Sequence, residues 1–76
     1  MTILIVGGDT HAGKLLRAVF PDSESINVRD GGVIHRDGRY DAMVIADDRV
    51  RGIRMNHWKG VAERYGIKRV ITAQSF

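Results

Sequence analysis

The stretch TILIVGGDTHAGKLLRAV, residues 2–19, decides the fold. Residues 2–6 form an uninterrupted run of apolar and β-branched side chains that ends at Gly7 and Gly8. A continuous rather than alternating run is typical of a strand covered on both faces, as in the centre of a parallel sheet. After the glycines, apolar residues recur with the period of a helix, at Ala12, Leu15, Leu16 and Val19. The stretch therefore predicts a central strand, a tight turn and a helix that packs through these four residues.

The rest of the chain adds three main strands and one more helix. Apolar runs over residues 25–29, 41–46 and 69–73 predict the strands, and residues 33–35 suggest a further brief one. A second set of apolar residues repeats the helical spacing, at Trp58, Val61, Ala62 and Tyr65. Gly66 follows this helix at the position of a C-terminal cap.

The resulting order, β-α-β-(turns)-β-α-β, predicts an α/β fold. Right-handed crossovers between parallel strands place the first and third strands side by side at the centre of the sheet. Asp9 or Thr10 can cap the first helix, and Pro21 ends it. We expect one domain over residues 1–76, a small three-layer Rossmann-like unit with about four mostly parallel strands and two main helices.

Composition limits the classes of function. The 76 residues include no cysteine, so neither disulfides nor thiolate metal sites are possible. No apolar run reaches the length of a membrane span, so we expect a cytoplasmic protein that does not bind a membrane. Residues 1–48 carry five basic and eight acidic side chains, whereas residues 49–76 carry seven basic and one acidic. This basic C-terminal half is either a solvated face or an anion-binding surface.

The glycine turn also matches the spacing of a nucleotide-binding P-loop, G-x-x-x-x-G-K, at Gly8, Gly13 and Lys14. A working P-loop continues with a Ser or Thr that holds Mg²⁺, but this chain has Leu15, which the helical spacing assigns to the core. We therefore disfavour an ATPase. The free N–H groups at the start of the helix can still bind an anion, or the glycines can simply allow tight packing.

Three short motifs, IVGGD at 5–9, RDGG at 29–32 and DAMVI at 41–45, occur in the order found in one family. With them the chain resembles the small bacterial Rossmann-like family catalogued as domain of unknown function 2325. That resemblance implies the fold and brings no established activity. The family usually has a helix where this chain has residues 33–40, and a His where this chain reads RVRGI at 49–53.

In open parallel sheets, ligands bind at the carboxyl ends of the strands, where the winding reverses. This rule brings the loops at 7–13 and 47–54 together, and it predicts an anion site between the first and third strands. The candidate ligand-binding residues are Gly7, Gly8, Asp9, Thr10, His11, Gly13, Lys14, Asp30, Arg49 and Arg51. In this hypothesis the N–H groups of residues 10–13 receive a phosphate, Lys14 or Arg51 neutralises charge, and Asp9 or Asp30 orients hydroxyls.

Other chemistry is less well supported by the sequence. The aspartates at strand ends could hold Mg²⁺ together with His11, but capping of turns and helices is the favoured interpretation. The three histidines lack metal-ligand spacing, and no nucleophile or acid–base pair emerges. We expect no metal, no cofactor and no catalytic residue.

The sequence thus favours a non-catalytic module that binds a nucleotide or another phosphorylated small molecule. The alternative is a nucleic-acid or protein interaction module that uses the Arg-rich C-terminal half, and an enzyme is the least favoured. We also expect a homodimer or a larger homo-oligomer, because two helices cannot cover both faces of a four-stranded sheet.

Overall fold

The computed structural model describes residues 2–30 and 40–72. Within them the chain forms, in order, the strand β1 (Ile3–Val6), the helix α1 (His11–Val19), the strand β2 (Glu24–Ile26), a 3₁₀ turn (Val28–Asp30), the strand β3 (Ala42–Ile45), the helix α2 (Ile53–Arg64) and the strand β4 (Arg69–Thr72). The brief strand predicted at residues 33–35 lies outside the described residues.

The four strands form one parallel sheet in the order β2-β1-β3-β4. Ile3 pairs with Ala42, and Leu4 pairs with Glu24, so β1 lies between β2 and β3. This arrangement confirms the predicted α/β fold, with the first and third strands adjacent at the centre. Chain order changes direction between β1 and β3, which are therefore the switch point of the sheet.

The two helices lie on opposite faces of the sheet, and each face has its own hydrophobic core. Leu4 and Val6 belong to the core that contains Trp58 of α2, whereas Ile3 and Ile5 belong to the core against which Leu16 of α1 packs. None of these four β1 side chains is more than 2% exposed. Burial of one such aliphatic side chain stabilises the fold by about 1.5–3 kcal/mol. The uninterrupted apolar run is thus explained by cover on both faces.

The α2 core contains the stripe predicted for the last helix. Trp58, Val61 and Ala62 are buried, and Tyr65 packs against them half-buried. The helix ends at Arg64, and Gly66 follows with a φ of 71°, a left-handed conformation that favours glycine. The predicted cap and the predicted apolar face of this helix are both confirmed.

The first helix is rotated relative to its prediction. Ala12, Leu16 and Phe20 pack against the sheet, but Leu15 is 57% exposed and Val19 is 70% exposed. The assignment of Leu15 and Val19 to the core was therefore wrong. The helix contacts β1 and β2, one side of a narrow sheet, so residues on its flank extend past the apolar surface.

The second strand also differs from the prediction. The strand predicted over residues 25–29 is shorter and earlier, since β2 covers Glu24–Ile26 and Val28–Asp30 turns into a 3₁₀ helix. The last strand, predicted over residues 69–73, covers Arg69–Thr72, and residue 73 lies outside the described residues. Among the described residues, no helix has the length and apolarity needed to cross a membrane.

Candidate anion-binding cleft

Thr10 organises the turn between β1 and α1. Its hydroxyl accepts a hydrogen bond from the Gly13 N–H at 3.0 Å, which makes Thr10 the N-cap of the helix. The same hydroxyl shares its proton between the carbonyl oxygens of Gly7, at 2.7 Å, and Ala46, at 3.0 Å. It thereby joins the ends of β1 and β3 to the start of α1. Of the two predicted caps, the structure uses Thr10, and its hydroxyl is engaged within the fold.

Close packing accounts for the three glycines of the turn. A Cβ on Gly7, whose φ is +92°, would lie 2.9 Å from the Cβ of Asp47. One on Gly8 would lie 2.4 Å from the Cβ of Ser25, and one on Gly13 would lie 2.2 Å from the Gly7 carbonyl oxygen. The glycines that match the P-loop pattern are therefore explained by close contacts within the protein, where the start of α1 packs against the turn. No ligand is needed to explain the glycines.

The start of α1 offers fewer N–H groups than predicted. The Thr10 N–H donates to the Gly7 carbonyl oxygen at 3.1 Å, and the Gly13 N–H donates to Thr10. The N–H groups of His11 and Ala12 have no hydrogen-bond acceptor within the described residues, as expected for the first turn of a helix. They adjoin a cleft of about 400 Å³, here called the α1 cleft. It is lined by Thr10, His11, Ala12, Ile45, Ala46, Asp47, Asp48 and Thr72.

The α1 cleft is a poor environment for a phosphate. Its lining includes two acidic residues, Asp47 and Asp48, but no lysine or arginine. The partial positive charge at the start of a helix is small compared with a full carboxylate charge.

A second cleft, here called the α2 cleft, lies where the carboxyl ends of β1, β2 and β3 meet the start of α2. Its volume is about 520 Å³, within the range of small-molecule sites. The lining comprises Asp9, Asn27, Val28, Arg29, Arg49, Ile53, Arg54, His57 and Trp58. The three arginines come from three separate segments: the 3₁₀ turn after β2, the loop after β3, and α2 itself.

Arg49 is held in place by Asp47. The Nε of Arg49 donates to the Oδ1 of Asp47 at 2.9 Å, and its Nη2 donates to the Oδ2 at 2.7 Å. The backbone N–H of Arg49 also donates to the Oδ1 at 2.9 Å. The Asp47 side chain is 1% exposed, whereas that of Arg49 is 67% exposed. These hydrogen bonds lower the pKa of Asp47, and they raise the pKa of Arg49.

This geometry leaves part of the Arg49 guanidinium available to a ligand. A guanidinium has five N–H donors, and Asp47 engages the edge formed by Nε and Nη2. The Nη1 group lies on the other edge and is not bonded within the described residues. Because Asp47 holds the Arg49 guanidinium in place before a ligand binds, less side-chain entropy is lost on binding.

Three other charged residues of the α2 cleft have no partner in the part of the chain that the structure describes. Among the described residues, Arg29, Arg54 and Asp9 form no side-chain hydrogen bond or ion pair. Asp47 neutralises the charge of Arg49. The two positive charges of Arg29 and Arg54 then exceed the single negative charge of Asp9. The α2 cleft therefore carries a net positive charge.

One wall of the α2 cleft is apolar. Ile53 is 88% exposed, although an isoleucine usually packs inside a protein. Ile53 and His57 are one helical turn apart, so both lie on the same side of α2. The His57 ring meets the Trp58 ring edge to face, with ring centres 5.4 Å apart. This wall can carry a planar group beside the arginines.

The structure divides the predicted site residues between the two faces of the sheet. Asp9 and Arg49 line the α2 cleft, whereas Thr10 and His11 line the α1 cleft. Gly7, Gly8 and Gly13 are buried in the turn, and the Asp30 side chain lies outside the description. Lys14 and Arg51 are exposed and line neither cleft. The Arg51 Nε donates instead to the backbone oxygen of Asp48 at 2.9 Å.

The sequence prediction omitted several residues of the α2 cleft. Arg29 lies in the 3₁₀ turn just after β2, so the rule that ligands bind at strand ends could have included it. Ile53 gave no signal, because a single apolar residue at the start of a helix resembles a core position. Within the described residues, no group of three His, Asp or Glu side chains is placed to hold a metal ion.

These features define a small α/β protein with a Rossmann-like sheet and a basic cleft at the carboxyl ends of its strands. No protein-family model, no curated protein and no solved structure matches the chain. The resemblance to domain of unknown function 2325 stays a prediction.

Proposed function

We propose that the protein is a non-catalytic binding module for a phosphorylated small molecule, and that a nucleotide in the α2 cleft is the ligand class that fits best. The observation that carries this proposal is the convergence of Arg29, Arg49 and Arg54 on one cleft with an apolar wall. Arginine forks suit phosphate oxygens, and three of them from separate segments surround a ligand from several directions. The exposed Ile53 and His57 supply a surface for a base.

The volume and charge of the cleft agree with this ligand class. A cleft of about 520 Å³ is large enough for a mononucleotide but small for a macromolecular partner. Arg29 and Arg54, which form no ion pair within the described residues, are the groups whose charge a phosphate would neutralise. Arg49 adds a pre-oriented donor edge.

The binding experiment compares two arginines of the same helix. Arg54 lines the α2 cleft, whereas Arg64 is exposed at the far end of α2 and lines neither described cleft. We expect Arg54→Ala to weaken the binding of a nucleoside monophosphate by about tenfold, the effect of losing one charge-assisted hydrogen bond. Arg64→Ala should leave the dissociation constant unchanged. Isothermal titration with the four ribonucleoside 5′-monophosphates measures both variants, and an equal loss would refute the assignment of the site.

A nucleic-acid interaction is the second candidate function. The exposed surface of α2 carries Arg54, Lys59 and Arg64, and Lys68 and Arg69 follow it. On this alternative, Arg54→Ala and Arg64→Ala should weaken the binding of an RNA or DNA oligomer by similar factors. Affinity should also fall steeply as salt is raised, because phosphate contacts release counterions.

A further inference from the structure

Asp9 is an unexpected residue in a cleft for an anion. It lies in the turn after β1 and lines the α2 cleft together with the three arginines. It is exposed, and among the described residues it pairs with none of those arginines. A carboxylate in this position repels a phosphate, but it suits a ligand group that donates hydrogen bonds.

We propose that Asp9 accepts hydrogen bonds from neighbouring hydroxyl groups of the bound ligand, and that it makes the α2 cleft selective for ribonucleotides. This inference rests on the proposed function and names the ligand class more closely. An ionised carboxylate is an acceptor only, and its two oxygens can receive the two hydroxyls of a vicinal diol.

The arrangement of the lining supports this assignment. Asp9 belongs to the β1 end of the cleft, whereas Ile53, Arg54 and His57 belong to α2. A nucleotide has the same three components: an anionic phosphate, a sugar with hydroxyls, and a planar base. The arginines suit the phosphate, the apolar wall suits the base, and the carboxylate suits the sugar. The hydrogen bonds and charge of Asp47 are the main cause of the raised pKa of Arg49, and the charge of Asp9 adds to it.

The expected preference for ribonucleotides depends on how exposed Asp9 is to solvent. A buried acceptor left without its hydroxyl can reject a ligand by several orders of magnitude. Asp9 is exposed, so water satisfies it when the hydroxyls are missing. We therefore expect a preference of about tenfold for a ribonucleotide over its 2′,3′-dideoxy counterpart, as for one charge-assisted hydrogen bond.

The experiment titrates the full chain with the four ribonucleoside 5′-monophosphates and their 2′,3′-dideoxy counterparts. Wild-type protein should bind at least one ribonucleotide about tenfold tighter than its counterpart. In Asp9→Asn this preference should disappear, with weaker binding of the ribonucleotide and equal or tighter binding of the dideoxy compound. Tighter binding of the dideoxy compound is expected because removal of the carboxylate also removes its repulsion of the phosphate.

Asp22→Asn is the matched control. Asp22 is exposed in the turn after α1 and lines neither cleft, so the substitution makes the same change of net charge elsewhere. It should leave the preference intact. Circular dichroism of each variant verifies that it is folded.

The outcomes separate this inference from the proposed function. If ribonucleotides and dideoxy compounds bind equally well and Arg54→Ala weakens both, the nucleotide site is correct and the role of Asp9 is wrong. If Asp9→Asn and Asp22→Asn strengthen all ligands alike, Asp9 contributes only charge, and the inference is again overturned. If no monophosphate binds the wild-type protein, both proposals fail.

Discussion

Replacement of Gly13 by alanine should destabilise the protein, although alanine is the better helix former. Gly13 lies in the first turn of α1, and an added Cβ would lie 2.2 Å from the Gly7 carbonyl oxygen and 2.8 Å from the Gly8 Cα. Both are backbone atoms, which cannot rotate away as a side chain can. The turn or the helix would have to move by about 1 Å or more to restore ordinary van der Waals spacing.

The magnitude follows from three contributions. Overpacking of a close contact costs about 1–3 kcal/mol. Movement of the helix also weakens the 3.0 Å hydrogen bond from the Gly13 N–H to Thr10, and loss of an N-cap costs about 1 kcal/mol. The better helix propensity of alanine offsets about 1 kcal/mol of this loss of stability. The net loss is therefore about 1–3 kcal/mol, a large part of the stability of a small domain.

Gly60→Ala is the control for this measurement. Gly60 is exposed within α2, and a Cβ there would have no atom within 4 Å apart from the neighbouring backbone of its own helix. It should raise stability by up to about 1 kcal/mol. Thermal and urea unfolding of both variants measure the difference, and in a domain of this size 1 kcal/mol moves Tm by about 4–8 °C. If Gly13→Ala is as stable as Gly60→Ala, the close approach of α1 to the turn is wrong.

Three further outcomes are expected. Thr10→Val should lower the free energy of unfolding by about 1–2 kcal/mol because it removes the N-cap hydroxyl, and unchanged urea unfolding would contradict this. The hydrogen bond from Arg49 holds the pKa of Asp47 below its usual value of 3.8, so the stabilisation is complete above that value and is lost as pH falls through the lower folded-state pKa. Asp47→Asn should therefore weaken the fall in stability below about pH 4, and urea unfolding at several pH values would show an unchanged acid response if this is wrong. If the predicted self-association uses the exposed Leu15 and Val19, the double variant Leu15→Ser/Val19→Ser should sediment as a smaller species than wild type; wild-type protein that sediments as an 8.5 kDa monomer would contradict the prediction.

The sheet could be predicted because the apolar pattern that indicates each strand lies within a short stretch of sequence and recurs along the chain. The uninterrupted apolar run of β1 indicates cover on both faces, and the handedness rule for parallel strands then fixes its neighbours. The orientation of α1 was not predictable in the same way. Helical spacing shows that Leu15 and Val19 share a side of the helix, but it does not show how far the sheet extends beneath them.

The candidate site was predictable only in its position. The strand-end rule found the loops that contain Asp9, His11 and Arg49, all of which line one of the two clefts. It did not show that these loops divide between opposite faces of the sheet. Tertiary hydrogen bonds, such as the one from Thr10 to Ala46, determine on which face of the sheet a loop side chain lies. A sequence pattern does not specify these hydrogen bonds.

The central position of β1 has a consequence for the order of folding. Its partner strand β3 lies 39 residues further along the chain, as the hydrogen bond from the Thr2 N–H to Asp41 illustrates. The entropy of closing that loop must be overcome before the pairing gives any stabilisation, so folding should be slow for a chain of this length. Neither hydrophobic core is complete until β3 docks, since β3 contributes Met43 to one core and Val44 to the other. The amide protons of β1 and β3 should consequently exchange with solvent through one shared opening event, while those of the short edge strand β2 exchange earlier.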